Sequence, residues 1–291
     1  MKNFGYNHDK EIADRKETDY LFGASSPKCI AEIPREQRRI CLPQGEIQHL
    51  GDEKRDCSPR ADLNDLESKF NYLFRNDLLP IELQHWLLDN GYAGKMGIEF
   101  SDRLIAILSG TDPLSGNSLI APLQAIHEHG LIPKKMFPQV EDSIEYYDPN
   151  TLTDEMTDLG KEFLKRFKIN YERVYEKSFD EWLERDVLIV AGYAWEEEVN
   201  GEIPRSENDP NHAFLAFDKP KTYIFDNYKN SQGDFIKKLA ADYDFLGYGY
   251  RLIISLPARK DKTLRKDKTF IEKLREWIEE FGHYYINRYE I

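Results

Sequence analysis

The chain is poor in cysteine: Cys29, Cys41 and Cys57 are the three in 291 residues. They are odd in number and lack the CxxC spacing of a metal knuckle, so neither a disulfide framework nor a zinc site is expected, and a reducing compartment fits best. Long apolar runs are missing too. None reaches the ~18 residues of a membrane span. The opening "MKNFGYNHDKEIADRKETDY" is polar and mixed in charge, unlike a secretory signal. Positive charge is scarce: 40 Lys and Arg stand against 53 Asp and Glu, a formal charge of −13, which argues against a nucleic-acid binder. Neither internal repeats nor low-complexity tracts occur. What is left is an ordinary globular composition, 40% hydrophobic and 32% charged.

Periodicity divides the remainder. Residues 1–40 have little, and read as an irregular, wrapping arm that either is cleaved or acts as an inhibitory strap. From Asp56, a plausible N-cap, a helix runs through Leu63, Leu66, Phe70, Leu73 and Phe74 on one apolar stripe. Pro59 is tolerated in its first turn. Further helices are expected in "EFSDRLIAILSG", capped by Ser101 and stopped by Gly110, in "SGNSLIAPLQAIHEHG", and over about residues 152–167. "SFDEWLE" is a helical turn leading to the buried strand "VLIVAGY", and "HAFLAF", "TYIFD" and "YRLIISL" follow as short strands. Helices first and an antiparallel sheet afterwards describe an α+β chain in two halves. The expected units are an arm (1–40), a domain (41–257, helical to about 170 and β-rich from about 171), and a tail (258–291). The tail joins a basic linker to an amphipathic helix with Phe270, Leu274, Trp277 and Phe281 on one face. That face suits self-association or attachment to a larger assembly.

Chemistry concentrates on Cys57. A thiol at a helix N-terminus gains thiolate character from the unpaired N–H groups and the helix dipole. A histidine completes such a pair, a third group orients the imidazole, and a donor holds the oxyanion. His212 opens a strand, Asp226 ends the next, and Gln48 precedes Cys57 in its loop. A lone cysteine is more often a small hydrophobe and a lone histidine more often packing; their order is what carries weight. His127 and His129 at a helix end, His49 in a loop and the acidic run 196–198 have simpler readings as solvated residues, and His85 with Trp86 as packing.

In that order "EIQHLGDEKRDC", "SGTDPLSGNSLIAPLQAIHEHG", "NHAFLAFD", "YIFDNYKN" and "GYGYRLIISL" resemble the papain-like cysteine peptidases over roughly residues 40–257. The set "DYLFG", "LPxxExQ", "DC" and "FSDR…SGT…GNSL" is most similar to a divergent branch associated with tailed phages. The resemblance implies a two-subdomain fold with a cleft between a helical half and an antiparallel β-sheet or barrel half. It implies Cys57 as nucleophile, His212 as base then acid, Asp226 as orienter and Gln48 as oxyanion donor. Leu114, Ser115, Gly116, Asn117 and Asn211 would line the substrate cleft. Asp226 stands where the family usually has Asn, so Asn227 is the alternative orienter, and the Gly-Ser-Cys-Trp signature is absent. The implied partner is a peptide or protein substrate, without metal, cofactor, nucleic acid or membrane, in a host cytoplasm or on a virion. A transglutaminase- or amidase-like thiol enzyme and a virion structural or binding protein that keeps the fold are the rivals.

Overall fold

A computed structural model describes residues 5–14, 29–45, 47–94, 97–193, 198–206, 208–218 and 223–257. The basic tail therefore lies outside the described residues. Two short helices, α1 (His8–Asp14) and α2 (Arg35–Cys41), stand in the stretch expected to be an irregular arm. Ala31 and Ile33 are fully buried there, and Arg38 donates to the carbonyls of Ile33, Leu183 and Phe217. A buried guanidinium bonded to carbonyls holds this segment where an apolar stripe is lacking.

Helix α3 (Cys57–Arg75) is the centre of the molecule, and every residue of it except Tyr72 and Arg75 is buried. Its apolar stripe is as expected, but its polar side meets protein rather than water. Lys69 pairs with Asp65 at 2.5 Å and with Asp186 at 3.2 Å, while Asn71 and Glu67 accept the N–H groups of Ile98 and Phe100. Buried charge is tolerable only with such partners. Around α3 pack α4 (Ile81–Asp89), the paired two-residue strands β1 (Ala93–Gly94) and β2 (Gly97–Ile98), α5 (Asp102–Leu108), α6 (Ile120–His129), α7 (Ser143–Tyr146) and α8 (Asp154–Arg166). Ser101 caps α5 through the Leu104 N–H, and Thr153 caps α8 through that of Met156. Phe70, Phe100, Phe163 and Phe167 meet at ring separations of 4.9–5.8 Å and lock these helices together.

The second half is an antiparallel sheet of β3 (Lys168–Tyr175), β4 (Leu188–Gly192), β5 (His212–Asp218), β6 (Tyr223–Phe225), β7 (Ile236–Lys238) and β8 (Phe245–Ser255), in the order β3-β8-β4-β5-β6-β7. The turn α9 (Phe179–Trp182) precedes β4. Ala213, Leu215 and Phe217 of β5 belong to the core around α3. Phe214 and Ala216 enter a second core with Val190, Phe179 and Trp182. Covered on both faces, β5 reads as a continuous apolar run. Strand β3 was not expected, because Lys168, Glu172 and Arg173 obscure its apolar residues.

Candidate active site

The head of α3 is fixed before any chemistry is considered. Asp56, expected as the N-cap, makes no cap hydrogen bond; its carboxylate instead takes Arg60 at 2.8 Å and the Tyr146 hydroxyl. Arg60 also reaches Asp102 on α5 at 3.3 Å. This buried lattice ties the first turn of α3 to α5 and α7. Cys57 follows directly, fully buried, with the Ala213 N–H donating to its Sγ at 3.3 Å. The fold thus joins the helix head to the start of β5 across 156 positions of sequence.

His212, also fully buried, opens β5, and its Nε2 lies 2.6 Å from Asp226 Oδ1, just past β6. Asp226 Oδ1 further accepts the Asn227 N–H at 2.7 Å, and Oδ2 takes Lys237 Nζ of β7 at 2.6 Å. Burial alone would raise this carboxyl, but His212 and Lys237 outweigh it and hold Asp226 well below the usual carboxylate range. With Nε2 on Asp226, any proton exchange with a thiol would fall to Nδ1. Asn227, the alternative orienter, accepts from Asn64 on its Oδ1 at 3.2 Å. The Tyr228 ring stands edge-on to His212 with centroids 5.4 Å apart.

Gln48 is fully buried beside this group, its N–H on the Asn227 carbonyl at 3.2 Å. Its Nε2 donates to Glu53 Oε1 at 2.8 Å, so a carboxylate engages the expected oxyanion donor. Glu53 also receives the Arg55 N–H at 3.1 Å and the Tyr228 hydroxyl at 2.5 Å. Arg55 holds φ 50, a left-handed conformation uncommon for its type.

Of the residues expected to line the cleft, Asn117 and Asn211 bond to residues 5–7 and Gly116 packs against Gly5. Leu114 is 75% exposed, and Leu114 and Ser115 turn their N–H groups onto Asp112 in a tight turn. Residues 5–7 run along Gly116 and Asn117. Asn117 N donates to Gly5 O at 2.6 Å, Asn7 N to Asn117 O at 2.7 Å, and Tyr6 N to Asn211 O at 3.4 Å. A Cβ on Gly116 would sit 2.0 Å from the Gly5 carbonyl oxygen, and one on Gly5 would sit 2.3 Å from that of Arg55. The strap is therefore flanked by Arg55, two residues before Cys57, by Asn117, whose carbonyl also accepts the Ser58 hydroxyl, and by Asn211, the residue before His212. Glu11 anchors it: this buried carboxylate accepts the N–H groups of Leu119 and Ile120, at 2.6 and 3.2 Å, and the Tyr250 hydroxyl at 2.9 Å.

The surroundings of Cys57 do not by themselves favour the thiolate. Burial pushes the Cys57 thiol well above its ordinary value; the Ala213 N–H opposes that, while Asp56 and Asp226 add to it. Burial also raises the Cys41 thiol, to about 12, and that of Cys29. Lys237, Glu53 and Glu11 were not singled out by sequence. Lys237 and Glu11 act through partners elsewhere in the chain, and Glu53 joins its near neighbours Gln48 and Arg55 to the distant Tyr228, which no local pattern announces. No metal-type cluster of His, Cys, Asp or Glu occurs among the described residues.

No family model matches the chain, and no curated protein does. Solved structures do. Xylellain, a cysteine protease from Xylella fastidiosa, aligns with a TM-score of 0.50 at 15% identity, covering 88% of this chain and 98% of that one. A structure concerning the mite allergens Blo t 1 and Der p 1 aligns with a TM-score of 0.50 at 11% identity, over 84% and 76%. The bromelain protease of Ananas comosus, in complex with the E64 inhibitor, gives 0.46 at 14% identity, over 78% and 99%. At such identities the likeness is one of architecture: the chain has the papain-like α+β fold, with its helical and antiparallel β halves meeting where the Ala213 N–H donates to Cys57.

Proposed function

We propose that the protein is a cysteine peptidase hydrolysing peptide or isopeptide bonds, held here with its cleft filled by its own N-terminal strap. The observation that carries this reading is the junction of Cys57, the His212–Ala213 peptide and Asp226, with the imidazole bonded through Nε2 at 2.6 Å. Once the strap leaves, Cys57 and His212 meet solvent and share a proton as a thiolate–imidazolium pair. The thiolate attacks the carbonyl carbon. His212 Nδ1 gives its proton to the departing amine as the carbon–nitrogen bond breaks, leaving a thioester. Water, deprotonated by His212, then hydrolyses the thioester and returns the proton to the pair. Asp226 orients the ring throughout. Gln48 Nε2 and the Cys57 N–H serve the oxyanion after Glu53 releases the amide.

Substrate binding follows the strap's example. Asn117 and Asn211 offer main-chain groups to an extended chain, which is recognition by added-strand hydrogen bonds. The motif set favours a phage-encoded enzyme in host cytoplasm or on a virion, and residues 258–291 remain the segment for self-association or attachment. The rival of a fold-retaining binding protein draws support from the buried thiol and the engaged Gln48.

An epoxide-type thiol-peptidase probe separates the two. Applied to the full chain and to a variant lacking residues 1–14, it is expected to modify Cys57 in the shortened protein much faster than Cys29 or Cys41, with peptide hydrolysis appearing in parallel. Equal labelling of all three cysteines in a folded protein, or a labelled Cys57 without hydrolysis of any peptide, moves the reading to the binding protein.

A further inference from the structure

The imidazole–carboxylate pair has a third member that the chemistry above does not use. Lys237 is 5% exposed on β7, and its ammonium lies 2.6 Å from Asp226 Oδ2 while His212 holds Oδ1 at the same distance. A lone carboxylate 2.6 Å from a buried imidazole favours the imidazolium strongly. That helps form the ion pair but hinders the later step, in which His212 must give up its proton. A cation on the other carboxylate oxygen offsets this pull.

We infer that Lys237 is a positioning residue for His212. Acting through Asp226, it makes the orienting group a charge-balanced pair and weakens the carboxylate's hold on the imidazole's proton. The inference rests on the peptidase reading for its catalytic consequence, but not for its electrostatics. The geometry suits it. Lys237 sits on the strand beside Asp226, with the Phe225↔Ile236 pairing between β6 and β7 adjacent to both, and its ammonium takes the oxygen that His212 leaves. The other titratable groups around His212 are Cys57 at the head of α3, Asp56 before it, and Tyr228 with Glu53 and the stacked His49 behind the ring. Among these groups, only Lys237 is bonded to the orienting carboxylate as a cation.

The test uses the full-length chain and two readouts: NMR titration of the His212 ring, and the pH dependence of Cys57 alkylation and of peptide hydrolysis after strap release. Lys237→Met is expected to raise the His212 titration and the alkaline limb of both Cys57 reactions by about one pH unit, and to slow hydrolysis at neutral pH roughly tenfold. Lys237→Arg keeps the limb in place. The double variant Asp226→Asn/Lys237→Met, whose neutral amide needs no balancing cation, brings the limb back to within about half a unit of the parent. It also keeps the test open if Lys237→Met alone folds poorly. An unmoved His212 titration in folded Lys237→Met, or a limb that stays raised in the double variant, overturns the inference, whatever happens to the melting temperature. Should His212 shift as expected while the parent hydrolyses no peptide, the charge balance stands and the peptidase reading fails. If the parent hydrolyses peptides and His212 does not shift, the inference alone fails.

Discussion

Asp226 and Asp62 are both completely buried aspartates, one beside β6 and one in the middle of α3, and they lead opposite lives. Asp226 takes His212, Lys237 and the Asn227 N–H, and is held ionised. Asp62 accepts no hydrogen bond among the described residues. Burial, with Asp65 and Glu11 nearby, raises its carboxyl well above the ordinary range and so favours the protonated form. Burial is common to both; partners decide the charge. The difference also separates chemistry from structure. The donors converge where an imidazole must be oriented, whereas one helical turn beyond the thiol the same residue type is left to neutralise itself.

The comparison is most violently broken from the Asp226 side. His212→Ala removes one of its donors together with the acid–base group, and turnover should fall by at least ~10³-fold in a peptide-hydrolysis assay after strap release. A variant retaining activity would place the base elsewhere. Asp226→Asn attacks the same region through charge. It leaves Lys237 buried without that carboxylate, at a cost of about 3 kcal/mol in chemical denaturation. Because the carboxyl is depressed in the fold, the stability it contributes is present above the unfolded value of ~3.9 and lost as pH falls through the folded one. The gap between parent and Asp226→Asn should therefore be fully open at neutral pH and close only in strong acid.

Glu11 extends the comparison to a third buried carboxylate, one with donors but on the strap. Glu11→Ala strips the Leu119 and Ile120 N–H groups and the Tyr250 hydroxyl of their acceptor. Loosening the strap by about 2 kcal/mol corresponds to roughly 30-fold faster modification of Cys57 by iodoacetamide. An unchanged rate would mean that the strap is not what buries the thiol.

How far these regions are legible without coordinates differs in the same way. Cys57, His212 and Asp226 stand in the order of a familiar set of motifs, and the fold brings them together. The strap bonds to Asn117 and Asn211, while Asp112 ties the backbone of Leu114 and Ser115 into a turn. Nothing local marks Lys237 or Glu53, since an ion pair between neighbouring strands or across a loop leaves no period in the sequence. Helix α3 shows the limit most clearly. Periodicity finds its apolar stripe and assigns the opposite face to water, but Asp65, Lys69, Glu67 and Asn71 are satisfied by Asp186, Phe100, Ile98 and Cys41 instead. A polar face bonded to protein and one bonded to solvent look alike in sequence.

The smallest effect comes from the quieter aspartate and has the opposite sign to that at Asp226. Since the Asp62 carboxyl is raised in the fold, its favourable contribution is complete below the unfolded value of ~3.9 and declines as pH rises toward the folded one, by at most ~1.4 kcal/mol per pH unit. Asp62→Asn keeps the shape and removes the ionisation. The amide also arrives in a site without partners, which offsets part of the gain. The net expectation is a stabilisation of about 1 kcal/mol at neutral pH, seen as a melting temperature higher by roughly 3 °C. Well below the unfolded value of ~3.9 the parent carboxyl is protonated in both states, and the advantage should vanish or reverse. Since Asp62 does not bond to Cys57, His212 or Asp226, hydrolysis after strap release should be unaffected. A destabilised Asp62→Asn at neutral pH would show that this carboxyl is ionised and partnered after all, and the contrast with Asp226 would collapse.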